Sequence, residues 1–375
     1  MKRLHFYLIC SVAIIFILAS ACTNKSDTNQ TPCTQNGEMN FAKVQVAQPE
    51  EMGMNAELLN RELTELLGAN KTGAACLFVK GKLVWEHYWK DFGPRSRFDI
   101  YSAGKAFTAS AIGLLVDDGK LKVDEPACSI LTEWANDERK EITIRNLLTM
   151  TSGLKNDYRK FINSPDPTEA MLSWPLGRKP GTVWSYEQAT SHALSIIVKR
   201  VSGKQPIVLL RERIFNSVGI LEADWLRSSQ GDCLGWRSVL ISARELALFG
   251  QFYLNKGRWN GKQLLSETFI DQAIVNDPLL SNIPVAEGQD DFRRRGYGWQ
   301  MFVNTNGIFE GVDKSGYGFL GAYHNICIID PANDFVFVRM VTPEAQGNHS
   351  EYNNALDVTD EGTTKIWQII LSAFE

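Results

Sequence analysis

The sequence predicts an α/β (α+β) fold in which one antiparallel sheet is built from both ends of the chain and flanked by helices, with a mainly helical lobe inserted. Two short β-rich runs, 74–79 and 83–89, are separated by Lys80-Gly81-Lys82, which is typical of a hairpin. Strand-like runs return only late in the chain, at 297–303, 322–329 and 335–340. Because the segment between these groups is mostly helical in pattern, we expect the strands to meet in one sheet.

The spacing of apolar residues predicts the helices that flank the sheet and fill the inserted lobe. It predicts a helix over 56–67 and an almost wholly apolar one over 102–117, closed by Gly119. Ser242 and Glu245 occupy capping-box positions at the start of another helix. The remaining predicted helices are 144–150, 188–201, 243–254 and 364–373. The helical lobe is therefore expected to span about 119–290.

Composition excludes several classes of protein. The chain has 375 residues and a formal net charge of -4, with 39 Lys+Arg against 43 Asp+Glu. That balance offers no basic excess to neutralise phosphates, so no nucleic-acid partner is expected. Hydrophobic residues make up 44% and charged residues 22%, which excludes disorder, coiled coil and collagen for the whole chain. The length indicates one large domain or two lobes that share a cleft.

Residues 1–21 have the pattern of an export signal. Lys2 and Arg3 precede an apolar run over 6–18, and small residues over 19–21 lead into Cys22. The run is short for a membrane span, which favours a secretory signal. Small residues directly before a cysteine also resemble the lipobox of bacterial lipoproteins. This resemblance implies that Cys22 is lipidated and that the protein is exported and membrane-anchored in a bacterial cell envelope. A plain signal peptide and an uncleaved anchor are the alternatives.

Residues 22–48 are polar and poor in apolar side chains, so we interpret them as a tether ahead of a folded domain over 49–375. The cysteines after Cys22 are odd in number and scattered, without CxxC or Cys/His spacing. Neither a zinc site nor a disulfide framework is indicated, and buried thiols are expected. These cysteines are Cys33, Cys76, Cys128, Cys233 and Cys327.

The chemistry is predicted to centre on Ser102 and Lys105, which form an S-x-x-K pair at the start of the apolar helix. Side chains three residues apart on a helix share one face, so the amine is expected to reach the hydroxyl. The helix start favours negative charge on the serine oxygen. Burial lowers the pKa of a lysine, which lets the neutral amine accept the serine proton. The pair therefore indicates an activated nucleophile.

A second S-x-x-K, Ser152 with Lys155, serves as an internal control. It lies in a polar stretch that contains Gly153, and no apolar helical run follows it. We therefore expect Lys155 to point to water. The apolar residues after Ser102 are instead expected to bury Lys105, so the context favours the first pair.

Five blocks of sequence give the chain a family resemblance. Residues 97–126, which contain YSAGK, and residues 142–154 and 180–203 resemble successive blocks of the serine β-lactamase-related family. Residues 241–265 and 316–338 are similar to its later blocks. This family includes class C β-lactamases, D-alanyl-D-alanine peptidases and esterases, and the chain is most similar to its 6-aminohexanoate-dimer hydrolase branch. Several blocks in register are far more specific than one S-x-x-K.

The resemblance implies roles for individual residues. Ser102 matches the acylated nucleophile and Lys105 its proton partner. Tyr186 matches the tyrosine of a Y-x-N motif and is expected to act as general base and then general acid. The backbone N–H groups of Ser102 and Ala322 would form the oxyanion hole. A core tyrosine is the structural alternative for Tyr186.

Two departures from the family pattern affect the substrate-binding positions, which are Gln188, Phe319 and Gly321. Gln188 stands where the Y-x-N motif has asparagine; its amide keeps the same chemistry with one more methylene. Phe319 replaces the cation of a Lys-Thr-Gly or His-x-Gly motif and cannot hold a carboxylate. Gly321 is retained, as a close approach of the strand requires.

These inferences predict a serine hydrolase that cleaves an ester or amide of a small substrate through an acyl-enzyme, without a metal or organic cofactor. Two alternatives stay open. One is a non-catalytic binding or sensor protein of the penicillin-recognising fold. The other is a peptidoglycan D-alanyl-D-alanine carboxypeptidase or β-lactamase, with a cell-wall peptide among its substrates.

Other polar and aromatic residues are expected to be structural. Three of the five histidines, His87, His192 and His324, are far apart in sequence, and a Ser-His-Asp triad is superfluous beside Lys105. Arg293-Arg294-Arg295 is expected to be a solvated loop, with contact to an anionic substrate as the alternative. Core packing is also expected for the tryptophans Trp174, Trp184, Trp236 and Trp299.

Overall fold

The computed structural model describes residues 44–68, 71–289, 296–342 and 360–374. Several predicted features lie outside these residues: the signal over 1–21, Cys22, most of the tether, Cys33 and Arg293-Arg294-Arg295. The chain from Asn40 to Glu375 groups into one compact unit.

The central element is a six-stranded antiparallel sheet. The described strands, numbered in chain order, are β1 (Thr72–Val79), β2 (Lys82–Tyr88), β3 (Arg97–Asp99), β4 (Asp224–Trp225), β5 (Val239–Ser242), β6 (Arg258–Trp259), β7 (Lys262–Gln263), β8 (Phe302–Val303), β9 (Tyr317–Gly321), β10 (Asn325–Asp330) and β11 (Phe335–Val341). The order in the large sheet is β2-β1-β11-β10-β9-β8. Because β1 pairs with β11 from the end of the chain, and β2 joins the sheet through β1, the predicted sheet built from both ends is confirmed.

Helices cover this sheet and fill the inserted segment. They are α1 (Ala56–Leu58, Leu59–Leu63 and Thr64–Gly68, continuous), α2 (Lys105–Asp117), α3 (Ile144–Leu148), α4 (Tyr158–Ile162), α5 (Pro167–Leu172), α6 (Gln188–Ser202), α7 (Pro206–Leu210, Arg211–Phe215 and Asn216–Val218, continuous), α8 (Ala243–Leu254), α9 (Glu267–Ala273) and α10 (Asp360–Ser372). The segment between β3 and β8 holds most of them, with two small sheets, β3-β5-β4 and β6-β7. None of the described helices is both long and apolar enough to span a bilayer.

Both faces of the large sheet are covered, so every residue of β1 is buried. Alternate side chains point to opposite faces of a strand. Cys76 and Phe78 therefore pack into a cluster with α2 and α8, whereas Leu77 packs into another with α1 and α10. A Cβ added at Gly250 of α8 would lie 2.6 Å from Val336, so the glycine allows the helix to approach the sheet closely.

The start of α8 confirms the predicted capping box. Ser242 accepts a hydrogen bond from the N–H of Glu245, and the Glu245 carboxylate accepts one from the N–H of Ser242. The same carboxylate also accepts from the N–H groups of Leu221 and Glu222, at 2.9 and 2.8 Å. One side chain thus binds the loop before β4 and caps the helix that covers the sheet.

The later strands differ from their predicted bounds. The predicted strand over 297–303 contributes only Phe302–Val303, because Gln300 has a φ of 63° that breaks the extended backbone. The predicted strand over 322–329 begins at Asn325, since Ala322–His324 form a 3₁₀ turn. The sequence pattern predicted no bounds for β9, in which glycines reduce the β signal.

The four cysteines in the described part of the chain are free. Cys76, Cys233 and Cys327 are buried thiols, as predicted. Cys128 is only half-buried, so the expectation of burial is wrong for this residue.

Candidate active site

Ser102 lies in a strained turn between β3 and α2. The turn is a 3₁₀ helix, Tyr101–Gly104, and its first residue has a φ of 49°. A non-glycine residue in this conformation costs about 1–3 kcal/mol and persists only where its surroundings hold it. Asp99 does so, since its carboxylate accepts from the N–H of Tyr101 at 2.8 Å and from the Ser238 hydroxyl at 2.9 Å. Burial raises the pKa of Asp99.

The predicted contact between the S-x-x-K side chains is present. Lys105 Nζ lies 3.1 Å from Ser102 Oγ, and the lysine is 1% exposed. The α-helix begins at Lys105 and not at the predicted Ser102. The contact survives this difference because side chains three residues apart eclipse each other in a 3₁₀ turn.

Two further acceptors orient the Lys105 amine. Lys105 Nζ donates to Gln188 Oε1 at 2.9 Å and to the carbonyl oxygen of Trp236 at 2.7 Å. Amide oxygens only accept, so each of these contacts uses an N–H of the amine. The third position faces Ser102 Oγ, where an ammonium donates a proton and a neutral amine accepts one. The Trp236 contact escaped sequence analysis because a backbone carbonyl leaves no side-chain signal.

Tyr186 joins this pair from a distant part of the chain. Its ring centroid lies 4.8 Å from Lys105 Nζ. The half-buried ring packs against Trp184 and Tyr297, with centroids 6.2 and 6.1 Å away. The backbone N–H of Tyr186 donates to Gln289 Oε1 at 3.2 Å. The structure therefore brings together the three residues that sequence analysis predicted to be catalytic.

Glu187, between Tyr186 and Gln188, is a buried carboxyl that sequence analysis did not assign to the site. It caps α6, accepting from the N–H groups of Ala189 and Thr190 at 2.9 and 2.8 Å. Burial raises its pKa to about 7, although these hydrogen bonds and the charge of Lys105 act in the opposite direction. An acidic residue before a helical run is an N-cap signal that could have predicted the cap.

The end of β9 closely approaches the turn Tyr101–Gly104, here named the nucleophile turn after the predicted role of Ser102. A Cβ added at Gly321 would overlap the carbonyl oxygen of Ile100 and lie 3.2 Å from the N atom of Ala103. The ring of Tyr323 contacts that of Tyr101, with centroids 5.1 Å apart. The retained glycine thus has the role that the sequence predicts, a close approach of backbones.

This approach places the segments of the two predicted oxyanion donors side by side. Ser102 is the second residue of its turn, and Ala322 directly follows β9 and is half-buried. Among the described residues, neither N–H group donates a hydrogen bond.

Phe319 does not line the cleft. Its side chain is 1% exposed and packs against Phe249 and Tyr253 of α8, with centroids 5.6 and 5.2 Å away. Side chains alternate along β9, and that of Phe319 points to the face of the sheet that α8 covers. This position does not support the predicted contact between its side chain and a substrate.

The control pair behaves as predicted. Ser152 is buried and shares a hydrogen bond of 2.7 Å with Thr190, while Lys155 is exposed. The S-x-x-K spacing alone therefore does not place the amine against the hydroxyl. The two pairs differ in the burial of the lysine.

The remaining candidates have structural contacts. His192 bonds Thr168, His324 bonds Thr363, and His87 packs against Trp89. The four tryptophans expected in the core are buried, as predicted: Trp174, Trp184, Trp236 and Trp299. Across the described ranges, no three His, Cys, Asp or Glu side chains are grouped so that they could hold a metal ion.

The α+β domain thus brings together a serine on a strained turn, a buried lysine one turn later and a tyrosine from the helical segment. The chain belongs to the Beta-lactamase family, whose model matches residues 59–358. The resemblance inferred from the sequence blocks is therefore confirmed.

Individual proteins are similar to this chain. An uncharacterised protein of Alkalihalophilus pseudofirmus is 24% identical over 84% of this chain and 98% of its own length. The provisionally named penicillin-binding protein PbpX of Bacillus subtilis is 30% identical, and the match covers 42% of each chain, less than half of that relative. A solved Bacillus anthracis structure, provisionally named a 6-aminohexanoate-dimer hydrolase, matches with a TM-score of 0.68, 20% identity and 88% coverage of both chains. At that identity it shows the fold.

Gly321→Ala should separate β9 from the nucleophile turn, because its Cβ would overlap the Ile100 carbonyl. We expect labelling of Ser102 by a fluorophosphonate probe to slow by about 10²-fold, the effect of losing one oxyanion donor. Gly93→Ala is the control, since a Cβ there meets nothing within 4 Å. Equal labelling of both variants and wild type would contradict the assigned role of the glycine.

The raised pKa of Glu187 predicts a pH-dependent stability. The carboxyl titrates near 4.5 when unfolded and near 7 when folded, so the folded state binds more protons in this range and stability falls as the pH rises. Glu187→Gln lacks this titration. The free energy of unfolding of wild type minus that of the variant should fall by about 2–3 kcal/mol from about pH 5 to about pH 8.

Urea titrations followed by tryptophan fluorescence measure this difference. Burial lowers the pKa of His192 to about 4, which produces a slope of opposite sign. That slope is common to both proteins and cancels in the difference. A difference that stays flat with pH would show that Glu187 is ionised throughout.

Proposed function

We propose that this protein is a serine hydrolase that forms an acyl-enzyme on Ser102 and cleaves an ester or amide of a small substrate. The observation that carries the proposal is the Lys105 amine, which is buried, bound by two carbonyl oxygens and directed at Ser102 Oγ. A buried lysine costs free energy unless its polar contacts are made, so this arrangement is a specialised one. The second S-x-x-K, in which Ser152 is buried but Lys155 is exposed, lacks it.

In the proposed acylation, the Ser102 hydroxyl proton passes to the Lys105 and Tyr186 pair as Oγ bonds the substrate carbonyl carbon. The carbonyl oxygen becomes an oxyanion that accepts from the N–H groups of Ser102 and Ala322. The bond to the leaving group then breaks, and Tyr186 returns the proton to that group. In deacylation, water attacks the same carbon by the reverse route and frees Ser102.

The substrate class follows from the two departures. Gln188 Oε1 accepts a hydrogen bond from Lys105, and Gln188 Nε2 donates none to the described residues. That amide N–H is the proposed partner of a substrate carbonyl. Phe319 supplies a core ring where related motifs supply a cation, so β9 offers no partner at that position for a β-lactam or peptide carboxylate. An ester or small amide is therefore favoured over a β-lactam.

Peptidoglycan D-alanyl-D-alanine carboxypeptidase activity is the second candidate. The partial similarity to PbpX of Bacillus subtilis and the proposed envelope location favour it. Release of D-alanine from a muropeptide would support it. A non-catalytic binding protein is the remaining alternative, and it predicts neither acylation nor turnover.

We also propose that Cys22 carries a lipid and anchors the protein to a membrane of the cell envelope. The support is the positive, apolar and small-residue sequence ahead of this cysteine. A single acyl chain anchors only marginally, so the proposal includes more than one chain on Cys22.

Ser102→Ala should abolish turnover of a p-nitrophenyl ester and labelling by a fluorophosphonate, because no nucleophile remains. Lys105→Met and Tyr186→Phe should each lower kcat/KM by about 10²-fold or more, the usual contribution of a positioned proton-transfer group. Initial rates and gel fluorescence of the full chain measure these effects.

Lys155→Met is the matched control, since this lysine is the exposed one of the second S-x-x-K, and the rate of the variant should stay within about twofold of wild type. A wild type that is neither labelled nor active would refute the hydrolase proposal and favour the binder. A Lys105→Met protein as active as Lys155→Met would remove the lysine from the mechanism.

Cys22→Ser should abolish incorporation of an alkyne-palmitate label into the full chain expressed in a bacterium, because the modified thiol is lost. Cys33→Ser is the control and should keep the label. Membrane association that persists in Cys22→Ser without label would indicate an uncleaved anchor. Release of an unlabelled wild type would indicate a plain signal peptide.

A further inference from the structure

The 3₁₀ turn Ala322–His324, which begins with a proposed oxyanion donor, is strained. Tyr323 and His324 both have a φ of 63°, in the left-handed region that non-glycine residues rarely adopt. Each such residue costs about 1–3 kcal/mol and needs support from its surroundings. The contacts that hold this turn therefore decide where the N–H of Ala322 lies.

Arg339 of β11 supports the turn from inside the protein. Its side chain is fully buried, and Nη1 donates to the carbonyl oxygen of His324 at 2.8 Å. Nε donates to Thr72 Oγ1 of β1 at 2.8 Å, which fixes the guanidinium on the sheet. Burial lowers the pKa of Arg339 to about 9, so the group remains charged at neutral pH.

The hydrogen bonds of His324 define its tautomer. Burial and the charge of Arg339 hold its pKa well below the ordinary value, so the ring is neutral. Arg339 Nη1 lies 3.1 Å from His324 Nδ1 and has only protons to offer, so Nδ1 accepts. Nε2 then carries the proton and donates to Thr363 Oγ1 of α10 at 3.1 Å.

Asn325 ties the first residue of the turn to the same strand. Its Nδ2 donates to the carbonyl oxygen of Ala322 at 2.8 Å, and its Oδ1 accepts from the N–H of Val341 at 2.9 Å. The turn is thus bound to β11 at both ends, through Arg339 at His324 and through Val341 at Asn325.

We propose that Arg339, His324 and Asn325, here named the turn clamp, are positioning residues that hold the N–H of Ala322 in the geometry that binds the reaction's oxyanion. This inference rests on the proposed function, and it extends the site to Thr72 and Thr363, which support the clamp. The clamp joins β1, β11 and α10 to the turn, so elements remote from Ser102 contribute to the reaction. A donor that only binds the oxyanion affects kcat more than KM.

Two pairs of threonine variants test the clamp, and each removes one hydroxyl with little change in side-chain shape. Thr363→Val removes the partner of His324, whereas Thr364→Val, on the same helix, removes a buried hydroxyl with no partner among the described residues. Thr72→Val removes the partner of Arg339, with Thr342→Val as the corresponding control. The measurements are kcat and KM for a p-nitrophenyl ester and the affinity for a phenylboronate, which forms a tetrahedral adduct with an active-site serine.

We expect Thr363→Val and Thr72→Val to lower kcat and boronate affinity by about 3–10-fold with KM within about twofold, a fraction of the effect of losing an oxyanion donor. Thr364→Val and Thr342→Val should stay within about twofold of wild type. His324→Asn tolerates the left-handed backbone and keeps an acceptor for Arg339, so it should retain more of kcat than His324→Leu. Equal losses in test and control variants would overturn the proposal.

Hydrogen exchange separates failure of this inference from failure of the proposed function. If the wild type neither turns over esters nor binds boronate, the hydrolase proposal fails and with it the catalytic meaning of the clamp. In that case, the amide hydrogens of the peptide over 317–325 should still exchange faster in Thr363→Val than in Thr364→Val. Such a result would show that the clamp stabilises the turn. Identical exchange in the two variants would refute it.

Discussion

The burial of the Lys105 amine is the constraint on which the rest of the site depends. An enclosed amine is costly unless its hydrogen bonds are made, and Gln188 and the Trp236 carbonyl make two of them. These acceptors come from α6 and from the loop before β5, so the lysine joins the inserted segment to the helix that follows the nucleophile turn. The same contacts direct the remaining position of the amine toward Ser102. One buried group thereby links folding and the proposed chemistry.

Several residues around Ser102 have a strained backbone. Tyr101, Ser238 and Tyr323 all have positive φ; Tyr101 precedes Ser102, Ser238 follows Trp236 by two residues, and Tyr323 follows Ala322. Asp99 supports the first two through hydrogen bonds, and β11 supports the turn after β9. Such strain persists only where neighbouring contacts exceed its cost. The rigid sheet beneath the site provides those contacts.

The departures from the family pattern have different structural consequences. The longer Gln188 still reaches Lys105 Nζ, so its additional methylene is absorbed within the site. Phe319, by contrast, turns its ring into the cluster around Phe249. A cation on this side of β9 would be buried without water, whereas a phenyl ring gains free energy there. At this position the chain therefore has a phenyl ring that packs in the core and lacks the cation of the family motif.

Local patterns in the sequence determined much of this protein. Three patterns depend only on neighbours within a few residues: the helix and strand periods, the capping box of Ser242 and Glu245, and the apolar run after Ser102. They predicted the strands at both ends of the chain and the burial of Lys105. Tertiary structure alone decided that the Trp236 carbonyl would bind Lys105, that Phe319 would face α8 and that β11 would support the turn at Ala322. Those contacts join segments distant in the chain, or involve backbone atoms that every residue has, so no side-chain pattern encodes them.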